Sequence, residues 1–456
     1  MSARPLKVIV VGAGTGGMCL AHGLRHAGID VEVYERDRTR TGGLHGYRVG
    51  ISPNGARALK ACLSPELFGT FVATTAKPYD NYTMYTEQFR VLMGISAGQM
   101  AGAGSAPEDR DHNVSRMTLR QVLFTGMEDV IRFDKRCTGW TRHDDGRVTA
   151  HFDDGDEATG DLLVGADGAN SPVRRQYLPQ ARHSETGLLA LGGKLALTDG
   201  NRDLLPDTAM HGMSMLFDRR GQFGIAHAMH MPWSDDDGGA PAPVAGPGST
   251  DRALIEAWPG LRYDNTTDHL SWGLSVSRTI APADTLQRRG ADLNALALEL
   301  TADWDPRWRE LVATSDPTAS LALSVRTSDP LAPWEPSTVT LLGDAAHTMT
   351  PGRGAGANTA LRDARELRDR LVRVRDGELS LVAAVGEYEE LMRRYSALAV
   401  RESLEFMNDD GTARRPIVGP LSVFAQRTGM RMIDRMPPLK RRIARGMQKV
   451  RDSELV

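Results

Sequence analysis

Two glycine-rich stretches hold the residues whose types and spacing point to chemistry. Near the start, Gly12, Gly14 and Gly17 stand in GAGTGG, directly after the apolar, β-rich run from Leu6 to Val11. The first glycine permits a tight turn, the second lets backbone reach a pyrophosphate, and the third allows close packing of helix on strand. Far downstream, Thr338 to Leu342 reads as a short buried strand that breaks at Gly343 and Asp344, after which Gly352, Gly354 and Gly356 occupy every second position. Glycine there lets the backbone take positive φ and approach a flat ligand with no Cβ in the way. Strand, acidic turn, glycine loop and helix start are the parts needed to hold an anionic, polyhydroxylated cofactor. Free N–H groups and the positive helix end face its negative charge, and Asp344 can accept from a hydroxyl.

Regular elements must bring these stretches together. The run from Leu6 to Val11 has the form of a parallel strand buried on both faces. Met18 to Ala27 reads as a helix ended by Gly28, and Asp30 to Tyr34 as the next strand. Glu35 and Arg36 follow it; Glu35 lies eighteen residues beyond Gly17, where an acid can bind ribose hydroxyls. After Asn358, the spacing of Ala360, Leu361, Ala364, Leu367 and Leu371 predicts an amphipathic helix whose N-terminus lies at the glycine loop. Met117, Leu119, Val122 and Leu123 suggest another, opened by Ser115 or Thr118, with Arg116 near its start. Arg147 to Phe152 and Asp161 to Val164 read as strands joined by the acidic turn Asp153 to Gly160, and the second delivers Asp167 and Gly168.

Other stretches read as a different texture. Phe68 to Met93 alternates like strand, and Met100 to Asp111 reads as a mobile loop. Beyond Tyr177 the pattern turns antiparallel: Ala209 to Phe217 and Gln222 to Met231 bracket the turn Asp218 to Gly221. With Gly187 to Leu197 and His269 to Arg278 they can form one sheet. His211, Met213, Met215, His227 and Met229 are its candidate ligand contacts, the methionines offering an adaptable apolar surface. Each is also an ordinary core residue in the plainer reading. Ser234 to Thr250 is dense in Gly, Pro and Asp and predicts a loop or disordered excursion. Ala291 to Asp303 reads as helix, and Leu321 to Arg326 as a return to the sheet that carries the glycine motifs.

Composition narrows the class. With 41% hydrophobic and 25% charged residues and a net charge of −3, the chain reads as an ordinary globular protein and not a general nucleic-acid binder. Cys19, Cys62 and Cys137 are scattered, without CxxC or His pairing, so neither a disulfide framework nor a metal site is expected and a reducing cytoplasm is. No apolar run is long enough to span a membrane. From Arg414 to Arg451, eleven Arg or Lys side chains face a single acid, Asp434. Their interleaving with Ile417, Leu421, Phe424, Met430, Ile433 and Leu439 favours helices packed on their own protein over a membrane or polyanion surface.

GDAAHTMTPGRGAGANTALRDA, with its Gly-Asp pair, His347, Pro351, Gly354, Gly356, Asn358 and Asp363, resembles the second flavin-contacting motif of the single-component FAD-dependent aromatic hydroxylases, the para-hydroxybenzoate and salicylate hydroxylase type. GAGTGG and LLVGADGANSPVRR resemble the family's other two flavin segments. The resemblance implies an α/β fold with a Rossmann-like FAD-binding domain, an antiparallel-sheet substrate domain and C-terminal helices. The expected boundaries are residues 1–72, 112–178 and 318–375 for the first, 73–111 and 179–317 for the second, and 376–456 for the third. It implies noncovalent FAD, with Asp344 on the ribityl chain, Pro351 and Gly352 beside the flavin ring, and Gly356, Ala357 and Asn358 at its pyrimidine edge. Arg116 and Asp167 are flavin contacts by the same likeness, Asp167 also serving use of the nicotinamide. The implied reaction is NADH- or NADPH-dependent hydroxylation or epoxidation of a bulky, apolar, aromatic or polyketide-like small molecule, by a monomer or homodimer. A redox-neutral cyclase that keeps FAD as scaffold is the alternative.

Overall fold

The structure, a computed structural model, describes residues 5–40, 48–100, 106–231, 268–407, 412–415 and 418–452. Ser234 to Thr250 and, within the Met100 to Asp111 stretch, residues 101–105 lie outside the described residues. Lys7–Val11 is the middle of a five-stranded parallel sheet, flanked by Asp30–Tyr34 and Ile131–Arg132 on one side and by Leu162–Gly165 and Val339–Leu341 on the other. Val8, Ile9 and Val10 are completely buried, as a strand covered on both faces requires. The helix Thr15–His26 follows the first strand, with Arg25 and His26 in its last turn complementing the helix dipole and Gly28 (φ +68°) turning the chain. It packs against the long helix Ala355–Arg375, whose buried stripe of Ala360, Leu361, Ala364, Leu367 and Leu371 follows the spacing read from sequence.

A seven-stranded sheet stands opposite. Its order is Leu321–Ser328, His183–Ala196, His269–Ser277, Phe223–Met229, Gly212–Phe217, Asn81–Thr86 and Val91–Ser96, antiparallel except for the Gly212–Phe217 and Asn81–Thr86 pair. Its far face carries a second core, in which Trp272, Trp304 and Trp308 pack with the helices Gly290–Leu300 and Pro306–Thr314.

The structure corrects four expectations. Leu321–Ser328 does not join the parallel sheet; it pairs with His183–Ala196, a long-range choice that no local pattern encodes. Phe68 to Ala73 belongs to the helix Pro65–Ala73, whose start was marked by Ser64, with Oγ accepting from Leu67 N–H, and by proline at the first position. Ala209 and Met210 end the short helix Asp207–Met210 instead of opening a strand. The turn from Asp153 to Gly160 contains the strand Glu157–Gly160, paired with Val148–Phe152, whose other side pairs with Cys137–Arg142.

The helix Leu381–Met407 closes over the edge strand Val339–Leu341 and buries Glu389, whose Oε1 accepts from the Thr340 hydroxyl at 2.8 Å. Burial pushes this carboxyl up to about 8. A folded-state value raised above the unfolded one contributes stability that is fully present below the unfolded value of 4.5 and is lost as pH rises toward 8. Glu389→Gln should therefore leave the unfolding midpoint nearly unchanged at about pH 5 and raise it at about pH 9, by up to a few kcal/mol. A midpoint lowered equally at both pH values would mean that the carboxylate is held ionised.

Candidate active site

A cavity of about 1300 Å³ opens between the C-terminal edge of the parallel sheet and the near face of the seven-stranded sheet. That exceeds the roughly 300–1,000 Å³ of a site for one small ligand, so it has room for a large cofactor and a second molecule. The edge of an open α/β sheet beyond its strand ends is where such folds bind ligands.

Three segments build the cofactor side. Gly12, Gly14, Gly17, Glu35 and Arg36 line it from the first βαβ unit, Arg116 and Asp167 from the neighbouring segments, and Asp344, Pro351, Gly352, Gly354, Gly356, Ala357 and Asn358 from the glycine loop. Gly12 (φ +106°) and Gly17 are glycines for packing, since a Cβ on them would lie 2.3 Å from Ala166 O and 2.2 Å from Gly12 O. A Cβ on Gly14 would meet nothing within 4 Å, because its free side faces the cavity. Glu35 is buried and holds the turn: its carboxylate accepts from Ala13 N–H at 2.7 Å and Asp37 N–H at 3.0 Å. Each oxygen retains acceptor capacity for a hydroxyl. Asp167 keeps Oδ1 buried with no partner among the described residues, and burial raises its carboxyl above the ordinary value. Asp344 keeps its carboxylate surface toward the cavity while protein crowds its other sides; that crowding raises its proton affinity, against the opposing charges of His347 and Arg116. The unpaired first-turn N–H groups of Ala355–Arg375 point to the same space. An anionic nucleotide with hydroxyl groups fits these donors and acceptors.

Two residues of the loop are also tied to the protein. The Asn358 side chain is committed to protein: Oδ1 accepts from Ser52 N–H, and Nδ2 donates to Gly50 O and Gly354 O, so it pins the Arg48–Ile51 strand to the glycine loop. Gly352 N–H is held by Met407 Sδ at 3.0 Å, fixing the loop to the end of Leu381–Met407.

On the sheet side, Met213 and Met215 line the cavity beside Tyr82, Met84 and Ile225, but His211, His227 and Met229 do not. His211 is exposed in a separate depression with Asp207 and His230. His227 is buried behind the wall with its ring against Tyr79, and Met229 packs with Ala76 and Met231. Sequence reasoning missed the network beneath the glycine loop. Asp363, fully buried, accepts from Gly343 N–H at 2.8 Å, from His347 Nε2 at 2.6 Å and from the Tyr395 hydroxyl, while the Arg362 guanidinium lies 4.0 Å over the Tyr395 ring. Its signal was an acid inside an apolar helical stripe. No group of three or more metal-ligating side chains occurs among the described residues.

The FAD binding domain family matches residues 307–402, and the NAD(P)-binding Rossmann-like domain family matches residues 10–66. A dual O-methyltransferase/FAD-dependent monooxygenase of Phaeosphaeria nodorum is 31% identical over 390 residues, 80% of this chain, and the chain spans only 41% of that relative's length. A solved protein of Photorhabdus luminescens subsp. laumondii, assigned as a FAD-containing monooxygenase, is 30% identical with a TM-score of 0.73, covering 88% of this chain and 98% of its own. Klebsiella pneumoniae HpxO, solved with FAD and uric acid, shares the fold at 21% identity, TM-score 0.75, over 99% of this chain and 98% of its own. With the Rossmann-like sheet, the glycine loop and near-complete coverage of the Photorhabdus protein, the chain belongs to the FAD-dependent monooxygenase family.

Proposed function

We propose that the protein uses NADH or NADPH and O₂ to place one oxygen atom on a bulky, largely apolar, aromatic or polyketide-like molecule, with FAD held noncovalently. The observation that carries this reading is one continuous cavity whose one wall suits FAD and whose other wall is Tyr82, Met84, Met213, Met215 and Ile225. Among the described residues that second wall offers no carboxylate or imidazole, so it selects by shape and apolar contact, and the methionines adapt to irregular outlines. The relatives' names support a small-molecule substrate: uric acid accompanies FAD in HpxO.

Bound FAD would supply the electron transfer and oxygen activation. The chain's own residues do the rest. Gly14 leaves room for the pyrophosphate to reach the first-turn N–H groups of Thr15–His26, while Gly12 and Gly17 shape the turn; Glu35 accepts from the ribose, with Arg36 and Arg116 as counter-charges. Asp344 accepts from the ribityl hydroxyls, and Pro351 and Gly352 form the rim beside the ring. Phe406 and the apolar sheet wall line the substrate end.

The test is anaerobic. Purified protein should release FAD in about one-to-one ratio on denaturation, and NADH or NADPH without oxygen should bleach it, faster when substrate is present. Isotopically heavy O₂ should then deliver one labelled atom to the product. Turnover of the substrate under argon without reductant, to a product of unchanged mass, would replace oxygenation by the redox-neutral cyclisation.

A further inference from the structure

The helix Val418–Asp434 has two faces of different fate. Its inner face carries Arg427, Met430, Ile433 and Asp434 and packs on the protein. Arg427 pairs with Glu87 and donates to Phe217 O, Asp434 accepts from Gly94 N–H at 3.1 Å and from Lys440 at 2.8 Å, and Met430 and Ile433 pack on the Tyr82 and Ile95 cluster. Helical periodicity puts Leu421, Phe424, Arg431, Met432 and Arg435 on the opposite side. There Leu421 is 68% exposed, Phe424 67% and Met432 59%. The expectation that Leu421 and Phe424 pack on their own protein is therefore corrected, while that for Met430 and Ile433 holds.

Basic side chains accompany this apolar strip. Arg431 and Arg435 share it, and Arg441 and Arg442 are exposed on the following helix, Pro437–Asp452; none of the four has an ion pair among the described residues. Large apolar side chains in a cationic field serve few partners. A second copy docked symmetrically through the strip would gather Arg431 and Arg435 of both copies in one seam, with Asp434 turned to the inner face and no described acid on the strip to answer them, and uncompensated like charges oppose association. A polyanion without an apolar phase would satisfy the arginines and leave Leu421 and Phe424 in water. An anionic lipid surface rewards both, since side chains of this kind insert at the headgroup boundary while arginines neutralise lipid phosphate.

We propose that the outer face of Val418–Asp434, with Arg441 and Arg442 of Pro437–Asp452, is a peripheral docking surface for anionic phospholipid bilayers. No described helix is long and apolar enough to cross a membrane. Because the inner face does the packing, the outer residues can be changed without touching the fold or the cavity.

The experiment sediments the FAD-loaded protein with vesicles of phosphatidylcholine alone or of phosphatidylcholine with phosphatidylglycerol. Binding is expected to the second and not the first, and to weaken as ionic strength rises toward 0.15 M, where screening shortens to about 8 Å. Leu421→Ser with Phe424→Ser, and separately Arg431→Glu with Arg435→Glu, should each lower partitioning about tenfold or more while FAD content and melting temperature stay as in the parent. Absence of binding to phosphatidylglycerol vesicles at low salt overturns the proposal. So does a dimer that the Leu421/Phe424 variant dissociates, or single-stranded DNA that binds tightly and keeps the protein off the vesicles.

Discussion

Asp363→Ala will remove a large part of the protein's stability and its hold on FAD together. Asp363 accepts three hydrogen bonds inside the protein, from Gly343 N–H, His347 and Tyr395, where no water can take its place. Leaving a buried donor without an acceptor costs about 1–3 kcal/mol, and breaking a buried ion pair from one side about 3–5 kcal/mol. Set against a total of about 5–15 kcal/mol, the loss should lower the denaturant midpoint of the FAD-free protein by a third or more. Gly343 (φ +63°) directly precedes Asp344, so slackening of this turn also misplaces a carboxylate of the cofactor wall, and FAD content should fall in parallel.

The pH dependence of that loss has a definite sign. Burial alone would lower the His347 pKa, but the charge of Asp363 and the hydrogen bond to it outweigh burial and raise the value above 6.5. A raised histidine contributes stability that is complete below about 6.5 and is lost as pH rises through the folded-state value. The gap between parent and Asp363→Asn should therefore be wider at about pH 6 than at about pH 9 without closing, because the bonds from Gly343 and Tyr395 do not depend on that proton. Urea titrations at both pH values check it. A gap independent of pH would show that His347 is neutral throughout, and an unchanged midpoint would remove the network's structural role.

The parts of the fold that were legible in the sequence are those written in local periodicity. The strands at Lys7 and Asp30, the glycine turns and the stripe of Ala355–Arg375 are set by neighbours within a few residues, and the structure places them within one to three residues of the reading. Pairing was not legible. Leu321–Ser328 could serve either sheet on its own composition, and its partner, His183–Ala196, lies far away in sequence. Side-chain direction was half legible: Met213 and Met215 reach the cavity as their alternation suggested, whereas His227, on the face shared with Ile225, lies behind the wall against Tyr79. The Asp363 network was hidden because its third member, Tyr395, arrives from the next helix.

The same contrast separates two glycines of one motif. A side chain on Gly17 would collide with Gly12 O at 2.2 Å, so Gly17→Val should destabilise the chain even without cofactor. Gly14 differs. It caps Thr15–His26 with φ −74° and ψ 179°, backbone that any residue adopts, and its missing Cβ opens on empty space in the cavity. Gly14→Val should therefore leave the FAD-free fold within about 1 kcal/mol of the parent, the difference between glycine and valine as a helix cap. Its branched side chain would fill the space through which a pyrophosphate reaches the first-turn N–H groups. Crowding of that kind costs about 1–3 kcal/mol, which is about a 5- to 150-fold weaker hold on FAD. Unfolding of the FAD-free protein and a titration followed by flavin fluorescence measure the two quantities separately. Unchanged FAD affinity would take the pyrophosphate away from this loop, and an unfolded FAD-free variant would mean that the glycine serves the backbone first.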